Sequence, residues 1–290
     1  MKEISIEERL QKGFNTAFID EEQKSDLEYR SKFIYNDADK GKKVYMELEK
    51  ELKECDEFLF SVAFITEAGI ATLLQTLKEL EEDALAPASE NRKKVRGKIL
   101  TTNYLYFNEP RALEKLASFE NIEVRMHYCE DEGPFHTKGY MFRKGEYFSI
   151  ITGSSNLTGQ ALSVTKEWNT RIVGTPQGEY VREILIEFDN LWDRAIPYED
   201  WIDDYAKAYS QNRVDTFAAR RVTKNAADLK PNSMQLGFIE NLNEIIAQKK
   251  DKALLISATG DCVIIVTGCN NVDTTRLLEI FTKNNTSYIA

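Results

Sequence analysis

The sequence predicts an α/β domain on a mixed, mostly parallel sheet, with a helical segment toward the C-terminus. Three observations carry this reading. Between residues 44 and 127, apolar runs of strand length alternate with amphipathic helices of about 10 to 16 residues. Between 135 and 153, two strands follow one another with only a turn between them. A chain of 290 residues with 42% apolar content is also long enough to bury a full core.

The elements follow in order. Residues 1–42 are polar and charged, with aromatics at Phe14, Phe18, Tyr29, Phe33 and Tyr35, the pattern of an arm that docks on something larger. Residues 43–198 hold the alternating elements. "KVYMELEKELKECD" has a helical period, "EFLFSVAFI" is a buried-strand run, and "EAGIATLLQTLKELEE" is a second helix closed by the polar loop "DALAPASENRKK". A strand "VRGKILTTNYL", a helix at "PRALEKLASF" with Pro110 suited to its first turn, and a strand "IEVRMHY" complete the alternation. "FHTKGYMFRK" and "EYFSIITGS" are then consecutive strands joined by a tight turn at Lys144-Gly145. "NLTGQAL" begins a helix, "EWNTRIVGT" is a strand, and "GEYVREILIEFDNLWDRA" is a long helix with Tyr180, Ile184, Phe188 and Leu191 apolar. Residues 199–250 read as a helical extension, with helices at 201–228 and 233–248. Residues 251–290 return to strand-like runs, "ALLISATG" and "CVIIVTG", as a truncated or divergent C-terminal segment.

Composition narrows the function classes. No run of about 18 apolar residues and no basic stub before an apolar stretch occurs, so a soluble, cytoplasmic protein without a membrane partner is expected. Cys55, Cys129, Cys262 and Cys269 stand without a C-x-x-C pair, which points to free thiols rather than a zinc site or a disulfide framework. A net charge of −10 is unsuited to coating nucleic acid non-specifically. A local basic groove remains open at "NRKKVRGK" (91–98) and "RVDTFAARRVTK" (213–224), each of which reads equally as a solvated face.

The chemistry concentrates between 135 and 169. His136, one of two histidines, stands two residues before Lys138 in "FHTKGYMF". Residues two apart in an extended chain share a face, so a nucleophile or base projects beside a positive charge. In "GSSN" (153–156), Gly153 permits a sharp turn off the strand. Ser154 and Asn156 supply short polar groups ahead of a helix start, an arrangement suited to an anion. Asn156 and Lys138 would hold oxygens of one phosphate between an amide and a cation. Glu167 in "EWN", if its strand lies beside His136, would accept the imidazole N–H and set the tautomer that leaves the other nitrogen free to attack. His127 has no lysine two residues on and reads as structural, and the acidic loop "CEDEG" reads as solvated rather than metal-binding.

These residues resemble the signature of the phospholipase D superfamily, a His-x-Lys strand with a downstream Gly-Ser-x-Asn. They match at His136, Lys138, Gly153, Ser154 and Asn156. Arg143 stands where the superfamily carries an acidic residue, five positions after the lysine. With Glu167 downstream, this resembles the branch related to metal-independent restriction endonucleases, in which a glutamate of the later strand partners the histidine. Over roughly residues 10 to 260 the chain further resembles the N-terminal nuclease-like module of bacterial DEAD/DEAH-type helicases linked to restriction and phage defence. The stretches that carry this likeness are "CDEFLFSVAFIT", "GSSNLTGQALSVTKEWN", "PNSMQLGFIENLNEI" and "KALLISATG". No G-x-x-x-x-G-K-[ST] occurs, so neither an ATPase motor nor ATP is expected.

The resemblance implies a phospholipase D-like α/β/α sandwich, no cofactor and no metal, and two His-Lys-Asn sets facing one phosphodiester. The chain has one set, so the implied unit is a homodimer with its active site on the two-fold axis. One His136 would attack phosphorus while the other protonates the leaving oxygen and later activates water. Lys138, Asn156 and Ser154 would stabilise the added negative charge. DNA is the implied substrate, with RNA left open. Two functions stand: a metal-independent endonuclease, and a catalytically silent module for dimerisation and nucleic-acid binding. A lipid phosphodiesterase is disfavoured, because no membrane-facing segment is found.

Overall fold

The structure, a computed structural model, describes residues 4–90, 92–222, 252–256 and 263–267. The chain divides into two compact units, residues 1–210 and 211–290. The first holds α1 (Ile6–Phe18), β1 (Lys32–Ile34), α2 (Val44–Glu54), β2 (Glu57–Val62), α3 (Glu67–Ala71), α4 (Leu74–Leu85) and β3 (Arg96–Thr102). It continues with α5 (Pro110–Ala117), β4 (Ile122–His127), α6 (Cys129–Glu132), β5 (Lys138–Lys144), β6 (Tyr147–Gly153) and α7 (Gly159–Ser163). Next come β7 (Asn169–Gly174), α8 (Glu179–Arg194), β8 (Ile196–Pro197) and α9 (Ile202–Val222), whose last residues fall in the second unit. In the second unit β9 (Lys252–Ile256) and β10 (Val263–Thr267) form an antiparallel pair. The helix expected over 233–248 lies outside the described residues, as do Cys262 and Cys269. Cys55 and Cys129 are free thiols.

An eight-stranded sheet in the order β1-β7-β6-β5-β2-β3-β4-β8 organises the first unit. β2 is buried along nearly its whole length and feeds both faces, as a central strand covered on two sides must. Phe58, Phe60 and Val62 point into one core with Tyr140, Phe142 and the apolar sides of α2, α4 and α5. Leu59 points into the other, with Met141, Ile150 and the α8 residues Val181, Phe188 and Trp192. Helices therefore cover both faces, giving an α/β/α sandwich.

The sheet is mixed, but the expectation that it is mostly parallel is corrected. Only the pairings β2·β3 and β3·β4 are parallel, while the other five are antiparallel. Long helical crossovers return a chain parallel to itself, and only β2, β3 and β4 are joined by them and also lie next to one another in the sheet. The β5–β6 connection is Gly145-Glu146, with Gly145 at φ +57, and two residues can join only antiparallel neighbours.

Residues 1–42 do more than dock: β1 hydrogen-bonds to β7 as the edge strand of the sheet, Phe33 opposite Thr170. A buried ionic cluster fastens this segment. Arg171, 2% exposed, pairs with Glu51 at 2.7 Å and donates to Ser149 Oγ at 2.8 Å. Its other nitrogens donate to the carbonyls of Glu28 and Arg30 at 2.7 and 3.0 Å. Lys144 approaches Glu51 at 2.7 Å and Glu54 at 2.6 Å. No helix among the described residues is long and apolar enough to cross a membrane.

Candidate active site

All the residues singled out for chemistry come to one edge of the sheet. β2, β3, β4 and β6 end there, while β5 and β7, running the other way, begin there. This is the edge where strand ends leave side chains and loop groups free to meet a ligand.

His136 lies two residues ahead of β5 rather than within it, and its loop is held from both sides. Phe135 is buried in the α8-side core, against the ring of His127. The carbonyl of Thr137 accepts the Ala63 N–H at 3.0 Å, and its hydroxyl meets Ser61 Oγ at 2.7 Å. The imidazole is left exposed, edge-on to Phe64 at 5.4 Å. His127 is 4% exposed, with Nε2 3.0 Å from the Gly133 carbonyl, the surroundings of a structural histidine.

Lys138 turns back onto the histidine. Its Nζ lies 2.9 Å from His136 Nδ1 and donates to the His136 carbonyl at 2.8 Å. An ammonium carries only donors, so Nδ1 accepts and the neutral ring holds its proton on Nε2. Burial, aided by the Lys138 charge, lowers the pKa of His136; burial lowers that of Lys138, against the opposing pull of Glu167.

The sign of the His136 shift makes the fold less stable as pH falls from the ordinary histidine value of about 6.5 toward the lowered one, since the unfolded chain binds the proton more tightly. An NMR titration is expected to place His136 below that value. Lys138→Gln should raise it only part of the way, because burial is the larger cause. An unchanged titration in the variant would remove Lys138 from the account.

Gly-Ser-x-Asn is positioned by polar contacts that cross the sheet. A Cβ on Gly153 would sit 2.2 Å from the Trp168 carbonyl oxygen, so glycine is required there for close strand approach. Ser155 and Asn169, both buried, bond reciprocally: the Ser155 N–H to Asn169 Oδ1 at 3.2 Å, and Asn169 Nδ2 to Ser155 Oγ at 2.8 Å. Below them the fully buried Tyr140 hydroxyl donates to the Ser155 carbonyl at 2.9 Å, and burial pushes its pKa up. Several of the amides around Gly-Ser-x-Asn are already occupied. Those of Ser154, Leu157 and Thr158 donate to the carbonyls of Trp168, Phe64 and Asn156.

Asn156 is oriented by the backbone of Phe64. The Phe64 N–H donates to Asn156 Oδ1 at 3.2 Å, which turns the amide nitrogen away from Phe64. Among the described residues Asn156 Nδ2 has no hydrogen-bond partner. Ser154 Oγ donates to Glu167 and accepts the Trp168 N–H at 3.1 Å. Glu167 thus partners Ser154, where an imidazole contact was expected, and its charge acts on Lys138. A groove of about 370 Å³ opens beside His136 and Lys138, bounded by Gly139, Gly153 and the α8 residues Ile184 and Phe188.

Other sequence candidates lie elsewhere. In the 91–98 cluster, Arg92 pairs with Asp83 and Glu90, and Lys93 with Asp56, at the opposite end of β3 from the site. Residues 213–224 fall where side chains are not described. Arg143 pairs with Glu57 at 3.2 Å, far along β5 from Lys138. Glu130 and Glu132, read as part of an acidic loop, lie in α6 and are taken by Asn103 and Arg194. No group of three or more His, Cys, Asp or Glu among the described residues is placed to hold a metal. Phe64, Ser155 and Asn169 carry the site's geometry without having been expected to. Only the side-by-side placement of "GSSN" and "EWN" hinted at the last two.

Residues 70–192 match the family model described as cardiolipin synthase, PLD-like domain. No curated protein matches the chain. Among solved structures, NucT from Helicobacter pylori is similar at 12% identity and TM-score 0.42, covering 58% of this chain and 98% of its own. A phospholipase D family member, Nuc from Salmonella typhimurium, is similar at 16% identity and TM-score 0.42, covering 58% of this chain and 97% of its own. Yeast tyrosyl-DNA phosphodiesterase reaches 16% identity and TM-score 0.30, covering 49% of this chain and 32% of its own.

Proposed function

We propose that the chain, which carries a PLD-like domain over residues 70–192, is a phosphodiesterase that cleaves DNA without a metal, as a homodimer with one composite site. The observation that carries this reading is the convergence of His136, Lys138 and the unpaired Asn156 amide on one exposed sheet edge. A phosphate arriving there draws the Lys138 ammonium from Nδ1 onto its oxygens, joined by Asn156 Nδ2. The ring then takes the tautomer with Nε2 free. Nε2 of one protomer attacks phosphorus, the bond to the leaving oxygen breaks, and the partner copy's imidazolium gives that oxygen its proton. The same partner imidazole next takes a proton from water, whose oxygen displaces the first histidine from phosphorus. Ser154 and Glu167 act as positioning residues, with the Glu167 charge keeping Lys138 protonated. The setting we assign, restriction or phage defence, rests on the resemblance to helicase-linked nuclease modules.

A specific observation favours the second reading, a silent binding module: among the described residues no carboxylate accepts a hydrogen bond from His136 at rest, and Lys138 occupies the nitrogen that would donate to one. Cleavage of labelled single- and double-stranded DNA by the full chain in EDTA separates the two. Products in EDTA, absent with His136→Ala, support the enzyme. DNA bound and left intact by a folded dimer, with and without magnesium, supports the module. Cleavage that stops in EDTA and returns with magnesium would overturn the metal-free mechanism.

A further inference from the structure

Beside the site stands an aromatic cluster that the chemistry above does not use. Trp168 is 73% exposed and Phe33 51%, while Tyr35 is half-buried. The two meet edge-on at 5.4 Å, and Phe33 stacks on Tyr35 at 5.3 Å. Lys42 Nζ lies 4.9 Å over the Tyr35 ring and, among the described residues, has no carboxylate partner.

The backing of these rings is rigid and polar. Asn36, 2% exposed, donates to the carbonyls of Ala161 and Thr165 at 2.8 and 2.7 Å and accepts the Val44 N–H at 2.9 Å. Ile34 beside it is buried and pairs with Asn169 across the sheet. Trp168 is tied through both its N–H and its carbonyl to Ser154. The backbone that carries the rings is therefore held beside the Gly-Ser-x-Asn segment, with Trp168 and Phe33 exposed and Tyr35 covered by Phe33 and Lys42.

We infer that Trp168 and Phe33, backed by Tyr35 and flanked by Lys42, form a stacking platform for unpaired bases of a single-stranded nucleic acid whose phosphodiester lies in the site. This rests on the nucleic-acid reading of that site. Exposed aromatics interleaved with lysine match a strand that offers base faces and phosphates alternately. A duplex hides its base faces and offers only phosphates, so the platform discriminates for single strands or frayed ends.

Trp168 reports on itself, because the two other tryptophans, Trp192 and Trp201, are buried. In full-length His136→Ala protein, which holds substrate without turnover, oligothymidylate is expected to quench tryptophan fluorescence. A duplex of equal length should quench it little. Adding Trp168→Ala should weaken single-strand binding about tenfold or more and duplex binding less than twofold, with the sedimentation coefficient unchanged. Single-strand binding with neither quenching nor dependence on Trp168 would overturn this inference and leave the parent reading standing. Absence of binding to any nucleic acid would overturn both. Loss of the dimer in the Trp168→Ala variant would assign the rings to a seam between copies and overturn the inference.

Discussion

His136→Ala should lower DNA cleavage by about 10⁴-fold or more, and the defect should spread to a wild-type partner. If one histidine attacks and the other donates the proton, a mixed dimer is as dead as a doubly substituted one. Co-refolded mixtures should then lose activity as the square of the wild-type fraction, to about a quarter at equal proportions. A fall in simple proportion would mean that each protomer works alone, and the composite site would have to be abandoned. Lys138→Gln should be severe as well, since among the described residues Lys138 is the cation that reaches His136, with the Asn156 amide beside it to share the phosphate charge.

Arg171→Met should cost about 3–5 kcal/mol of stability, the range for removing one partner of a buried ion pair. Glu51 would remain 1% exposed with only Lys144 beside it, and the carbonyls of Glu28 and Arg30 would lose their donors. Urea denaturation would measure the loss. Limited proteolysis should find the chain newly open near residues 27–31, where Arg171 fastens it to the sheet. Adding Glu51→Met should recover most of the loss, because the orphaned charge goes with it and Lys144 keeps Glu54 at 2.6 Å. A single variant that loses less than about 1 kcal/mol would show that water reaches the cluster.

The placement of site residues was legible where it depended on neighbours in sequence. His136 and Lys138 do come together, because residues two apart along an extended chain face the same way. Ser154 and Asn156 do reach the same sheet edge, because the strand ahead of them ends at Gly153. It failed where a partner had to be chosen. Glu167 was expected on the imidazole and stands on Ser154, a choice made by the Gly153–Asn169 register. Arg171 looked like one polar residue of a half-buried strand, and nothing in "EWNTRIVGT" tells that it reaches across to Glu51.

By itself, then, the sequence determined the alternating strands and helices of the central segment and the local grouping of His136 with Lys138 and of Ser154 with Asn156. Hydrophobic period and the spacing of short polar groups act over a few residues, and that range is written in the chain. Only the tertiary structure decided that two of the seven strand pairings are parallel, that 1–42 supplies an edge strand, and that Lys138 sets the resting tautomer of His136. Those outcomes depend on which buried donors find which acceptors. Asn156 meets Phe64 across 92 residues and Arg171 meets Glu28 across 143, distances over which a local pattern carries no information about partners.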